Sequence, residues 1–189
     1  MSAQGWNETL ITATTDGATL TAAAAATALP AQARVTLKPN FFYYIGQQMI
    51  VKAAGRISSV ITTPGTARFD ICMGAAGTTI VFDTLALNLN VVAKTTIPWY
   101  FEAKLVCRAI GSGTSTTFFP MGSYFVSEAV VGSPLPTVGG NGSLLAPTGT
   151  PAVGAGMDNN AASILDVFFT QTVATGSMTV HNYQVDVLN

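Results

Sequence analysis

The chain has 189 residues, which fits a single domain; 9% of them are charged, 49% are hydrophobic, and the formal net charge is −1. An average soluble domain is about 25% charged, so this chain has too few charged side chains to cover its whole surface. Its eight basic residues form no stripe that could follow a phosphate backbone, and no apolar stretch is long enough to span a bilayer. The sequence therefore predicts neither nucleic acid nor a membrane as a partner, and instead predicts an assembly subunit whose surface is partly covered by other protein.

Residues 1–32 are predicted to form an extended N-terminal arm. Five consecutive alanines at 22–26 favour a helix, but the flanking threonines and Pro30 argue against a long one. Because the segment is nearly free of charge and lacks regular periodicity, we interpret it as an arm that contacts a neighbouring subunit. Its expected contact residues are Trp6, Leu20 and Leu29. Deletion of residues 1–30 is then expected to leave a folded domain that attaches less well to its partner.

Alternating apolar and polar residues dominate from residue 33 to about 126, with many threonines, valines and aromatics, as β-strands prefer. Gly55 falls in the middle of one long run and predicts a bulge or a close backbone approach. About eight strands are predicted in all, at residues 34–37, 48–61, 68–73, 78–82, 99–110, 116–130, 163–172 and 177–188. The sequence therefore predicts an all-β fold, a single jelly-roll-like β-sandwich over residues 33–189.

Residues 132–160 are rich in glycine, proline, serine and asparagine, and Asp158 is their only ionisable side chain. A segment of this length without periodicity is either a disordered linker or an ordered contact loop. Embedded apolar residues favour the contact loop because they need burial: Leu135, Leu144, Leu145, Val153 and Met157.

A cluster of four aromatic residues, Phe41, Phe42, Tyr43 and Tyr44, follows Lys38-Pro39-Asn40. The cluster suits the hydrophobic core of the sandwich, a contact between subunits, or a surface that stacks against sugars. The sequence favours the core and leaves the other two open.

The residues that could carry chemistry are better explained as structural. His181 is the only histidine and alternates with its neighbours in the last predicted strand, and no Gly-x-Ser-x-Gly motif accompanies it. Cys72 and Cys107 lack the spacing of metal ligands, and we interpret them as free thiols, with a disulfide left open if their strands are neighbours.

Asp70 and Glu102 are the best candidates for the paired carboxylates of a glycoside hydrolase. Each lies near a basic side chain, Arg68 or Lys104, so structural ion pairs explain both. The sequence therefore predicts no enzyme, no catalytic residue, no metal and no cofactor.

A set of short motifs supports a family resemblance: Leu-Lys-Pro-Asn at 37–40, Ala-Gly-Arg-Ile-Ser at 54–58, Pro-Gly-Thr at 64–66, Lys-Thr-Thr-Ile-Pro-Trp at 94–99 and Cys-Arg-Ala-Ile-Gly-Ser-Gly-Thr at 107–114. From about Gly5 onward, the chain resembles a group of virion structural proteins of tailed bacteriophages and prophages. The resemblance implies a component of a phage particle.

Small jelly-roll proteins of tailed phages often serve as capsid decoration, or cement, proteins and form trimers. The resemblance therefore implies a homotrimer on the capsid surface that binds the major capsid protein and clamps the head shell without covalent bonds. Such a protein is made in the cytoplasm of the bacterial host. The alternatives are a component of a tail or head fibre and a trimeric module that binds carbohydrate.

Overall fold

A computed structural model describes residues 5–59, 63, 65–126, 131–133, 142–147, 149–150, 152–174 and 176–188. It describes the side chains of all of these residues except 124–126, 131–133 and 142–144. These residues form thirteen strands and one short 3₁₀ helix, Ala31–Ala33. The strands are β1 (Asn7–Thr12), β2 (Ala25–Thr27), β3 (Val35–Leu37), β4 (Gln48–Ser59), β5 (Thr66–Met73), β6 (Thr79–Asp83), β7 (Leu87–Leu89), β8 (Lys94–Ala109), β9 (Thr117–Val126), β10 (Val131–Ser133), β11 (Gly142–Ala146), β12 (Ser163–Gln171) and β13 (Gly176–Leu188). None of the helical structure in these described ranges is long and apolar enough to cross a membrane.

The strands form two antiparallel sheets that pack face to face. The first sheet has the order β1-β13-β4-β8-β9-β11. The second has the order β10-β7-β5-β12-β2, with β6 also paired to β5 and β3 also paired to β12. The predicted all-β sandwich is therefore confirmed.

Two long strand pairs give the sandwich its jelly-roll character. The chain passes from β4 in the first sheet to β5 in the second, and from β12 in the second to β13 in the first. Because β4 pairs with β13 and β5 pairs with β12, an antiparallel ribbon of two chain segments crosses from one sheet to the other. This shared crossing is the feature in which the sandwich resembles a jelly roll, which is a double-sheet fold.

The hydrophobic core lies between the sheets and is centred on aromatic rings. The ring of Phe69 on β5 lies 4.8 Å from that of Trp99, 6.0 Å from that of Phe101 and 5.2 Å from that of Phe169. All four side chains are buried, so the two sheets are joined by one aromatic cluster. Cys72 and Cys107 are both buried and free, which settles the open question of a disulfide.

The segment predicted as an arm belongs to the sandwich of its own chain. Strand β1 pairs with β13 and strand β2 pairs with β12, which corrects the predicted boundary at residue 32. Between these two strands, the Gly17 amide donates to the Val180 carbonyl at 2.8 Å, and directly after β2, Ala28 and Leu29 are buried in the core. The physical reason is that β12 and β13 would otherwise present unpaired edges, which this segment covers.

The segment predicted as a contact loop also pairs with strands of its own chain. Strand β11 pairs with β9, and Met157, which is buried, forms a bridge with Thr116. The Gly154 amide donates to the Phe118 carbonyl at 3.0 Å. Residues 134–141, 148 and 151 of this segment lie outside the described residues, so the prediction for Leu135 is not addressed by the structure.

Two buried carboxylates face outward from the second sheet and pair with arginines. Arg68 Nε lies 2.8 Å from Asp70 Oδ1, which confirms the ion pair predicted from the sequence. Arg34 Nε lies 2.7 Å from Asp166 Oδ2, and Thr27 Oγ1 donates to Asp166 Oδ1 at 2.6 Å. Each arginine places a positive charge beside a buried carboxylate and so offsets part of the cost of its burial, although Asp70 Oδ1 and Asp166 Oδ2 accept no hydrogen bond from the described residues.

Asp70 is expected to make stability depend on pH. Burial raises the pKa of its carboxyl to about 6, and the Arg68 guanidinium offsets part of this rise. Because the pKa in the folded state lies above that in the unfolded state, the contribution to stability is present below about pH 4 and is lost as the pH rises through about 6. Asp70→Asn should therefore match the wild type at pH 4 and exceed its free energy of unfolding at pH 7.5 by up to about 3 kcal/mol. Urea denaturation at both pH values checks this, and an equal difference at both would contradict it.

Candidate functional site

An exposed apolar cluster lies at one end of the first sheet. We call it the end patch and define it by Trp6, Tyr43, Tyr44, Ile45 and Leu188, whose exposed fractions range from 37% to 66%. The Tyr44 hydroxyl donates to the Leu188 carbonyl at 3.3 Å, and Trp6 directly precedes Asn7, which pairs with Leu188. The three chain segments therefore meet at a single place.

Hydrogen bonds hold the turn that presents the tyrosines. The Tyr43 amide donates to Gln47 Oε1 at 3.1 Å, and the Gly46 amide donates to the Cys107 carbonyl at 2.8 Å. The Tyr43 and Tyr44 rings lie 5.1 Å apart in an edge-to-face arrangement. Both rings are thus presented from a turn anchored to β8, which reduces the entropy lost when a partner binds.

Asn159 anchors the segment that leads into this turn, and sequence reasoning did not find it. Its buried side chain accepts from the Phe42 amide at 3.1 Å and donates to the Phe42 carbonyl at 2.8 Å. The Asn159 carbonyl accepts from the Asn40 amide at 2.6 Å. The run Asp158-Asn159-Asn160 could have indicated this anchor, because Asp and Asn side chains form hydrogen bonds with backbone groups in turns.

The aromatic cluster at 41–44 is divided between the core and the surface. Phe42 is fully buried, and its ring lies 4.7 Å from that of Phe118. Phe41 is half-buried against the core, whereas Tyr43 and Tyr44 face solvent. The two phenylalanines therefore belong to the core, and the two tyrosines are available at the surface.

The remaining predicted contact residues are divided between core and surface. Leu29 and Met157 are buried. Leu20 packs against the core, and its backbone forms a β-bridge with Met178. These three side chains therefore make their contacts within the chain. Leu145 on β11 is exposed, away from the end patch. Leu144 lies on the same strand, and its side chain is outside the described set. Ile45 and Leu188 are exposed members of the end patch that the sequence analysis did not single out.

His181 has both ring nitrogens occupied. Arg56 Nε donates to His181 Nε2 at 2.7 Å, and His181 Nδ1 lies 2.9 Å from Asp16 Oδ2. Neither nitrogen is positioned to accept a proton from a nucleophile, so the contacts suit a structural histidine.

The two candidate carboxylates lie on different sheets. Asp70 is on β5 with Arg68, whereas Glu102 is on β8 of the first sheet and accepts from the Tyr100 hydroxyl at 2.6 Å. They therefore do not flank a common cleft, as a glycoside hydrolase requires. Within the part of the chain that the structure describes, no group of three His, Cys, Asp or Glu side chains is arranged to hold a metal ion.

No protein-family model and no curated protein matches this sequence. Among solved structures, the chain is similar to the CBM2 module of the Lactobacillus casei BL23 phage J-1 evolved Dit, with 11% identity, a TM-score of 0.31, and coverage of 82% of this chain and 67% of that one. It is also similar to infectious bursal disease virus VP2 (11% identity, TM-score 0.28, 99% of this chain and 33% of that one). The winged bean acidic lectin is a third such structure (7% identity, TM-score 0.29, 98% and 99%). The chain thus spans about a third of VP2, and all three TM-scores are low, so the fold assignment rests on the strand pairing described above.

Proposed function

We propose that the chain is a bacteriophage capsid decoration protein that stabilises the head shell as a homotrimer through non-covalent contacts. It is a structural subunit of the particle and not an enzyme. The family resemblance of its motifs supports the particle assignment and the trimer. The end patch supports a role that depends on protein contacts.

The observation that carries this proposal is the end patch in a chain with 9% charged residues. Tyr43, Tyr44 and Ile45 are exposed on a turn fixed by hydrogen bonds, and Trp6 and Leu188 are exposed on the two chain segments that meet it. An aliphatic side chain such as that of Ile45, which is 66% exposed, contributes up to about 1.5–3 kcal/mol when it becomes fully buried, before the cost of association is subtracted. Exposed aromatic anchors of this kind are typical of interface centres.

We expect the double variant Tyr43→Ser, Ile45→Ser to bind capsids at least about tenfold more weakly than the wild type, because it removes two apolar anchors. The measurement is cosedimentation of the full chain with expanded capsids of the parent phage that lack the protein. The control is Val91→Ser, Val92→Ser, because these valines are 64% and 56% exposed. They precede β8 at Lys94, which pairs with Ser59 at the end of β4 remote from the end patch.

Equal binding by both double variants would contradict the end patch as the attachment surface. Failure of the wild type to bind capsids would contradict the decoration role itself. A cryo-EM reconstruction of the parent particle separates the alternatives, since trimeric density on the shell supports decoration. Density on the tail or at a fibre tip would instead favour a component of the tail or of a head fibre.

A further inference from the structure

A depression of about 180 Å³ lies on the outer face of the first sheet. It crosses β13, β4 and β8, where the register places Asn182 opposite Ala54 and Ala54 opposite Tyr100. Because the side chain of alanine ends at Cβ, Ala54 forms a low floor between an amide and an aromatic ring. The lining residues are Lys52, Ala53, Ala54, Tyr100, Asn182 and Gln184.

The next row of the sheet forms a fixed polar border. Lys52 lies between Gln184 and Glu102 in register. Lys52 Nζ donates to Asp186 Oδ2 at 2.9 Å, and Gln184 Nε2 donates to Asp186 Oδ1 at 2.7 Å. These contacts hold two long side chains in place before any ligand arrives, which lowers the entropy cost of binding.

The aromatic wall is fixed in the same way. The Tyr100 hydroxyl donates to Glu102 Oε2 at 2.6 Å. Burial and this hydrogen bond raise the pKa of Tyr100 to about 12, so its hydroxyl stays protonated at neutral pH. The hydrogen bond to Glu102 restrains the ring, which lies beside the floor formed by Ala54.

The chemistry of the lining matches an uncharged molecule with several hydroxyl groups. The exposed amide of Asn182 offers both donors and an acceptor, as a sugar hydroxyl requires of its partner. The Tyr100 ring and the Ala54 methyl group suit the apolar C–H face of a sugar ring. An anion is disfavoured because Lys52 already pairs with Asp186, and Glu102 adds a further negative charge nearby.

We propose that this depression binds a single neutral sugar unit of a glycan. Its volume is below the about 300–1,000 Å³ of sites for drug-sized ligands, which fits one sugar unit and not a longer segment. The site is separate from the end patch, so it does not depend on the capsid role. A decoration protein that also binds a surface glycan would hold a particle at a cell surface.

The test is saturation-transfer NMR of the full chain with D-glucose, D-galactose, D-mannose, L-rhamnose and N-acetyl-D-glucosamine, each at about 10 mM, a concentration suited to weak sites. We expect at least one of these sugars to receive saturation from the wild type. Ala54→Leu fills the floor at an outward position and should reduce binding about tenfold or more. Asn182→Ala, which removes the exposed amide, should also weaken binding while leaving the melting temperature close to that of the wild type.

The matched control is Ala25→Leu, the same substitution at an exposed strand position of the second sheet. It should bind sugar as the wild type does. Absence of saturation for all five sugars would overturn the proposal. Undiminished binding by both Ala54→Leu and Asn182→Ala would overturn the location. Neither result changes capsid cosedimentation, so failure here is distinguishable from failure of the decoration role.

Discussion

Replacing Gly55 by alanine is expected to lower the free energy of unfolding by about 3 kcal/mol or more. Gly55 lies on β4 opposite the β-bulge of β13, where the register shifts between Val180 and Asn182. A Cβ atom at this position would overlap the Thr179 carbonyl oxygen and crowd the Val180 backbone. Since both neighbours are backbone atoms of a central strand, the two most extensively paired strands would have to separate. Urea denaturation of the purified variant measures the loss.

Gly113→Ala provides the contrast for this experiment. Gly113 lies in the turn between β8 and β9 with a φ of 66°, and a Cβ atom there meets nothing within 4 Å. The only cost is backbone strain of about 1 kcal/mol. A loss at Gly55 no larger than the loss at Gly113 would show that the close approach across the bulge is not a constraint on the fold.

Deletion of residues 1–30 is expected to abolish cooperative unfolding, which reverses the expectation drawn from the sequence. The deletion removes β1 and β2 and takes Ala28 and Leu29 out of the core. It also leaves the edge of β13 unpaired and removes Thr9 Oγ1, which donates to Asp186 at 2.7 Å. Circular dichroism during thermal denaturation should show a broad, weak transition in place of a sharp one.

Deletion of residues 1–6 is the matched control for the larger truncation. It removes Trp6 from the end patch but leaves β1 intact from Asn7. This variant should unfold as sharply as the wild type and bind capsids more weakly. A sharp transition after deletion of residues 1–30 would restore the interpretation of the segment as a separable arm.

The sequence predicted the long strands and missed the short edge strands for a physical reason. Strands such as β4 and β8 bury one face, so apolar residues recur at every second position and the pattern is visible. Strand β1 is mostly exposed, which leaves no such pattern. Strand β2 is three residues long and lies in an alanine run whose intrinsic preference is helical. Its pairing with β12 is a tertiary effect that no local pattern encodes.

The sequence indicated which kinds of residue form the end patch, but not which individual residues belong to it. Trp6 was an expected contact and is exposed. For the cluster at 41–44 the sequence favoured the core and left a subunit contact open, and the structure buries Phe42 but exposes Tyr43 and Tyr44. What separates Phe42 from Tyr43 is the anchoring of one backbone segment by Asn159, a residue more than a hundred positions away. Composition predicts that part of the surface is without charge, and only the fold determines which apolar residues face solvent.

The ribbon of β4 and β5 with β12 and β13 has a consequence for how the chain is made. The contact of Thr9 with Asp186 joins residues 177 positions apart, and β13 lies between β1 and β4. A ribosome that has synthesised residues 1–162 has released β1, β4 and β5 without their partners in the ribbon. Neither sheet is complete until β12 and β13 have emerged from the ribosome. The sandwich therefore folds after these strands are synthesised and not while the chain is being made. Chains dominated by such distant pairings fold slowly, and the nascent strands remain open to aggregation during that interval.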